Sequence, residues 1–299
     1  MVRPTRKRRR APLKPVLLWV MGVCLFFLLL MQAMYGQPTR LHRAAAPKAL
    51  PANEVKGTLS MCSTPVPRRS DYAVVALMPT GFPPANARVL GRSLARATSL
   101  DFVLLSEQMV AVEGWVTCVV APMAVGGTKL RAWNLVEYKA VLLLDMDTLA
   151  LTDPLPLFTE HYPLMLQQNA SVGGVSLRVC RSQRIRPQVL LLIPSQLWYL
   201  RLRKQLFRWP AAGFGGTIKA VFGNSSFYEL PAIYNADAAW KHCNPRWWKE
   251  AKVSIVHFSI AKPWSLLSND LLNLGSSHPL ACWITGLSEL CKVWLHYYY

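Results

Sequence analysis

An alternation of short apolar runs with stretches of helical spacing does most to narrow what this chain can fold into. "YAVVALM" (72–78), "DFVLLSE" (101–107) and "VTCVVAP" (116–122) read as buried strands. "NARVLGRSLARAT" (86–98) sets apolar residues at helical spacing with arginines between them, and "GTKLRAWNLVEY" (127–138) reads as a second helix. "AVLLLDMDT" (140–148) follows as a further strand. Strands alternating with helices at short intervals predict an α/β fold, a mostly parallel sheet covered on both faces. The chain has 299 residues, enough to bury such a core as one large domain or two smaller ones.

The last of these strands runs into Asp145 and Asp147. Ligands of open α/β sheets bind beyond the carboxyl ends of the strands, which is where these two residues fall. Residues i and i+2 of a strand point to the same side, so the two carboxylates would repel unless something positive lay between them. A divalent cation, which takes hard oxygen ligands, would meet that need. The plainer reading is a strand followed by a turn whose aspartates cap local amides.

The net charge is +19 and uneven: residues 1–70 carry +12 and residues 71–299 carry +7. The basic character is therefore concentrated at the N-terminus rather than spread over a nucleic-acid-binding face, and no nucleic-acid partner is expected. "RPTRKRRRAPLK" places seven positive charges before residue 15, and Pro15–Tyr35 then runs 21 residues without a charge. A helix of that length spans roughly 30 Å, the thickness of a bilayer core, and the flanking charge places the N-terminal end in the cytosol. The run exceeds the usual apolar segment of a cleaved signal, though "AAA" at 44–46 keeps cleavage as the other reading. The expected order is a cytosolic tail (1–14), a membrane anchor (15–35), a proline- and alanine-rich stem (36–70) and a lumenal body (71–299). Two glycosylation triplets, Asn169-Ala-Ser171 and Asn224-Ser-Ser226, suit a lumenal body. So do the six cysteines outside the anchor, whose pairing cannot be read from spacing.

"TKLRAWNLVEYKAVLLLDMDTLALTDPLPLF" (128–158) resembles the central motif of family 8 glycosyltransferases, the group that contains glycogenin and the plant glucuronosyltransferases that decorate xylan. The residues that carry the likeness are Lys129, Trp133, Tyr138, Asp145, Asp147, Thr148, Leu157 and Phe158. "VSIVHFSIAKPW" (253–264) resembles a second motif, with His257, Lys262 and Trp264 at similar spacing, and the opening strand and helix also look family-like. The resemblance implies a GT-A fold and retaining transfer of a sugar from a UDP-sugar to a glycan or glycoprotein acceptor. It implies Mn²⁺ held by Asp145, Asp147 and His257, a donor set of carboxylate and imidazole that suits manganese. Lys129 and Lys262 would meet phosphate oxygens, and Tyr72 with the loop after Met78 would lie near the nucleotide base. Trp133 and Trp264 are expected to pack rather than act. With the anchor, the resemblance implies a type II Golgi membrane protein, and a homodimer is compatible with it. No catalytic nucleophile is assigned.

The family pattern breaks between Glu160 and Glu229, where there is no Asp or Glu at all. The strand persists as "VLLLIPSQ" (189–196), but "RPQ" (186–188) stands where an Asn-containing motif is expected. "WPAAGFGGTIKAVFGN" (209–224) approaches a helix without the expected Asp-Gln-Gly. Residues 169–187 show no clear periodicity and hold four arginines, Arg178, Arg181, Arg184 and Arg186. Three readings compete. The protein binds nucleotide without turnover; or its acceptor site is rebuilt with arginines for an acidic glycan; or 169–187 and 211–218 come from outside the true reading frame. Residues 278–297 are amphipathic and are expected to form a C-terminal helix packed on the body.

Overall fold

The computed structural model describes residues 61–62, 69–95, 99–175, 186–223, 226–259, 262–263 and 288–299. The tail, the proposed anchor, most of the stem, Trp264, and Arg178, Arg181 and Arg184 lie outside the described residues. No helix among the described residues is long and apolar enough to cross a membrane.

The strands are β1 (Met61–Cys62), β2 (Tyr72–Met78), β3 (Asp101–Ser106), β4 (Val116–Val119), β5 (Ala140–Leu144), β6 (Thr148–Ala150), β7 (Val172–Val175), β8 (Arg186–Leu192), β9 (Phe227–Glu229), β10 (Ala236–Asp237) and β11 (Ile255–His257). Eight of them form one sheet in the order β1-β4-β3-β2-β5-β8-β7-β9. β4, β3, β2 and β5 run parallel to one another, as the alternation predicts. Beyond β5 the expectation of a mostly parallel sheet fails: β8 is antiparallel to both β5 and β7, and the whole is a mixed sheet. At the other edge β1 pairs antiparallel with β4, so sheet structure begins inside the segment read as stem. Cys62 is the register partner of Cys118, and Cys118, Cys243 and Cys291 are disulfide-bonded.

The helices are α1 (Pro84–Leu94), α2 (Tyr162–Gln167), α3 (Gln196–Arg208), α4 (Gly213–Phe222), α5 (Trp240–Cys243), α6 (Pro245–Glu250) and α7 (Ser288–Tyr298). Strand residues alternate between two cores. Val74, Ala76, Leu142 and Leu144 pack with Ala87, Leu90 and Leu94 of α1; Ala73, Val75, Val141 and Leu143 pack with Tyr199, Leu202, Phe214 and Phe222 of α3 and α4. Both faces are thus buried, which is why the sequence of β2 and β5 is continuously apolar rather than alternating. Each fully buried aliphatic side chain contributes about 1.5–3 kcal/mol. Gly91 lets α1 approach closely: a Cβ there would lie 2.5 Å from Trp115 Nε1, which donates to Ala87 O at 2.8 Å.

The expected helix at 127–138 is a 3-10 helix over Ala124–Asn134. The change has a consequence for side-chain direction. At three residues per turn, positions four apart are about 120° apart, whereas an α-helix would align them. Lys129 can therefore face the sheet end while Trp133 is fully buried against Phe222 and Phe214. Of the C-terminal helix expected over 278–297, residues 278–287 lie outside the described residues; the rest is in α7, which packs on the body, with Leu290, Cys291 and Trp294 buried in a cluster with Val89. Arg92 donates to Tyr297 O and Tyr298 O, satisfying carbonyls at the helix end.

Candidate active site

β5 ends at Leu144, and the chain does not continue as a strand through the two aspartates. Asp145 N still bonds to Gln188 O at 2.9 Å, the last rung toward β8. The chain then turns: Thr148 N and Thr148 Oγ1 both donate to Asp145 O, at 3.1 and 2.6 Å. Met146 is buried, and β6 leaves in a second, three-stranded sheet ordered β10-β11-β6. The strand-register argument for placing both carboxylates on one side is thus replaced by a turn at the seam between two sheets.

That seam brings in residues distant in sequence. β11 pairs antiparallel with β6, with His257 opposite Thr148, and Phe258 N donates to Asp147 O at 2.9 Å. This register sets His257 beside Asp147, with Nε2 3.3 Å from Asp147 Oδ2. An ionised carboxylate only accepts, so Nε2 carries the proton in this contact. Lys262 donates to the same Asp147 Oδ2 at 2.6 Å and to Phe258 O. Lys129, from the 3-10 helix, donates to Asp145 Oδ1 at 2.5 Å and lies 5.4 Å from the centre of the Phe214 ring. Five of the six site residues expected from sequence, Lys129, Asp145, Asp147, His257 and Lys262, are brought together.

The sixth is not. Tyr72 is the first residue of β2 and pairs with Ala140, the first of β5, whereas Asp145 follows the end of β5. Five strand residues separate the two levels, roughly 16 Å. Tyr72 stacks instead on Phe158 at 5.0 Å and meets Tyr162 edge-on. The loop after Met78 does lie at the carboxyl end of β2. Its Thr80 donates to Glu107, which also accepts from Thr128 Oγ1 at 2.9 Å, next to Lys129.

The two carboxylates are unequal. Burial pushes Asp145 above the ordinary carboxylate range; Lys129 opposes this, and the charge of Asp147 adds to it. Burial acts the same way on Asp147, but the hydrogen bonds and charges of His257 and Lys262 outweigh it and hold that carboxyl well below the ordinary range. Two like charges at close range are forced apart in this way.

Among the described residues no three His, Cys, Asp or Glu side chains are gathered closely enough to hold a metal ion as they stand, and each carboxylate is met by a lysine. The donor types nevertheless fit a hard divalent cation. Asp147 Oδ1 is buried and has no hydrogen-bond partner among the described residues, and the same holds for His257 Nδ1. A buried carboxylate oxygen without a partner is costly, and a bound cation would satisfy it.

Sequence reasoning missed a second cluster beside the first. Asp237, on β10, is the parallel register partner of His257. Its carboxylate accepts from Arg186, from Ser259 Oγ at 2.5 Å and from Ala239 N at 2.9 Å. Burial pushes this group up, but those hydrogen bonds and the Arg186 charge hold it below the ordinary range. Arg186 also lies 5.0 Å from the centre of the Trp240 ring, and its carbonyl accepts from Asn235 Nδ2 at 3.1 Å. Arg186 thus occupies the place where an Asn motif was expected and ties β8 to the small sheet that carries His257. The available signal was that Asp237 is the sole acid between Glu229 and Glu250.

A mixed sheet with the Asp-x-Asp turn at its centre and a small second sheet against it defines the GT-A glycosyltransferase class of fold. Among solved structures, the chain is similar to the glycosyltransferase GlyE of Streptococcus pneumoniae TIGR4, with a TM-score of 0.56 and 17% identity over 76% of this chain and 59% of that one. It is similar also to the bifunctional glycosyltransferase WbbM, with a TM-score of 0.52 and 15% identity over 67% of this chain and 48% of that one. The chain therefore spans about half to three-fifths of these proteins. Neither a protein-family model nor a curated protein sequence matches it.

Proposed function

We propose that this protein is a manganese-dependent glycosyltransferase of family 8 type that moves a sugar, with retention, from a UDP-sugar to a glycan or glycoprotein acceptor. The observation that carries the reading is the convergence of Lys129, Asp145, Asp147, His257 and Lys262 at one sheet end, from three separate parts of the chain. Asp145, Asp147 and His257 would hold the metal, which when bound supplies Lewis-acid stabilisation of a leaving diphosphate. The two lysines are the chain's own contribution to the same charge. Each now neutralises an aspartate and would turn its ammonium to phosphate oxygens once a cation met the carboxylates. His257 would ligate through a ring nitrogen free of its proton, the form a metal requires of imidazole. Thr148 and the β6–β11 register hold the turn and the imidazole in place during that exchange. The chain would be anchored by residues 15–35 as a type II Golgi membrane protein, the body lumenal and free to pair as a homodimer.

A second reading has a specific observation behind it. No acid lies between Glu160 and Glu229, and Arg186 is committed to Asp237. A protein that binds metal and nucleotide without turnover would look the same at Asp147. Calorimetric titration of the solubilised chain with UDP, with and without Mn²⁺, followed by UDP release over an acceptor panel, separates the cases. Metal-dependent binding with release supports transfer, and binding without release supports the second reading. No binding by folded protein removes both.

A further inference from the structure

We propose that Asn169 carries an N-linked glycan. The triplet Asn169-Ala170-Ser171 has the acceptor pattern, a pattern frequent by chance, so its placement has to make the case. Asn169 is exposed, while Ala170 behind it is buried. It sits where α2 ends: Asn169 N donates to Leu166 O at 3.1 Å and Ala170 N donates to Met165 O at 2.9 Å. Its φ of 53° makes it the one non-glycine residue with positive φ among the described residues. This closes the helix in a left-handed turn and leaves residue 169 at the turn, open to solvent. The turn by itself calls for glycine or asparagine, with glycine the less strained, and places no demand for a hydroxyl at 171.

The position also suits a bulky adduct. Ser171 N donates to Ser226 O at 3.0 Å, and β7 begins at the next residue. Val172 pairs with Leu192, and Leu192 pairs with Val141 near the start of β5. The aspartates follow the other end of β5. A glycan on Asn169 would therefore project from the sheet end opposite the carboxylates, near the chain's α2–β7 corner, and leave the proposed donor site open.

The reaction is transfer from a lipid-diphosphate-linked oligosaccharide. Asn169 Nδ2 attacks the anomeric carbon; the C–N bond forms, the C–O bond to the diphosphate breaks, the lipid diphosphate leaves, and the amide proton passes to a base of the transferring enzyme. The inference rests on the lumenal body proposed above.

The test is to synthesise the full chain in the presence of microsomes and compare its gel mobility before and after peptide N-glycosidase, alongside protease protection. The native chain should lose at least one discrete mobility step on deglycosylation. Asn169→Gly, which keeps the turn, and Ser171→Ala, which keeps the asparagine, should each remove one step. UDP binding should be unchanged in both. Any step that persists in both variants belongs to Asn224. If both variants migrate as the native chain does, the assignment to Asn169 is wrong. If the body is protease-protected yet lacks the step, the site fails while the lumenal topology stands. If the body is digested and unshifted, the topology fails and takes the proposal with it.

Discussion

The strands before Phe158 and the strands after Tyr162 solve one packing problem by different means. β2, β3, β4 and β5 run parallel and bury aliphatic side chains on both faces. β7 and β8 run antiparallel, and β7 contributes Gly173 and Gly174 rather than branched residues. A Cβ on Gly174 would lie 2.9 Å from Leu190 Cδ2 and 3.0 Å from Phe227 Cζ, so neighbouring side chains fill the space instead. The acidic residues are also unevenly spread. The first half ends in the paired aspartates. The second has no acid between Glu160 and Glu229, and its Arg186 must find its carboxylate, Asp237, in the other sheet. Asp147 in turn draws on His257 and Lys262 from beyond Tyr162, so the two regions meet at the seam between the sheets.

The sharpest way to break this contrast is Asp147→Ala. If the proposed site holds, it should weaken manganese-dependent UDP binding by more than about 100-fold, since it would remove a ligand rather than a ligand's support. Unchanged calorimetric affinity would overturn the proposed metal site at Asp147. Trp133→Ala empties a site shared by both halves, between Phe214 and Phe222, and should cost about 3–5 kcal/mol in urea unfolding. Arg186→Met should cost about 1–3 kcal/mol, because among the described residues Asp237 then keeps only Ser259 and Ala239 N as donors. In an Asp237→Asn background the same change should cost less, the signature of a coupled pair. A loss of turnover without a loss of stability would make Arg186 a substrate ligand instead. Gly174→Val should cost about 1–3 kcal/mol by overpacking β7, with UDP binding preserved. Arg246→Ala breaks an exposed pair with Glu250 on α6 and should stay within about 0.5 kcal/mol, a control for both halves.

Legibility followed how far each element depends on its own residues. β2, β3 and β5 were readable because an apolar run buried on both faces depends on little beyond its own residues. The Asp-x-Asp turn and the His257-to-Lys262 spacing were readable as residue types in order. β7 was not: "VGGV" carries two strand-weakening glycines, and only contact with Leu190 and Phe227 explains them. The Asp145–Asp147 segment reads as strand because nothing in its own residues announces a change of sheet. The 3-10 winding of 124–134 was hidden for a related reason, since apolar spacing alone does not distinguish three from 3.6 residues per turn over so short a stretch.

What the sequence determined by itself was an α/β sheet with two carboxylates at its carboxyl end, together with the cations able to balance them. Those follow from local burial patterns and from the identity of charged groups. Tertiary structure decided which donor meets which carboxylate. His257 reaches Asp147 because β11 pairs with β6, Lys129 reaches Asp145 because its helix is wound at three residues per turn, and Asp237 reaches Arg186 across two sheets. Such pairings join residues 16 to 110 positions apart. The partners of those carried on strands are chosen by register, and register is set by the packing of whole faces rather than by any one residue.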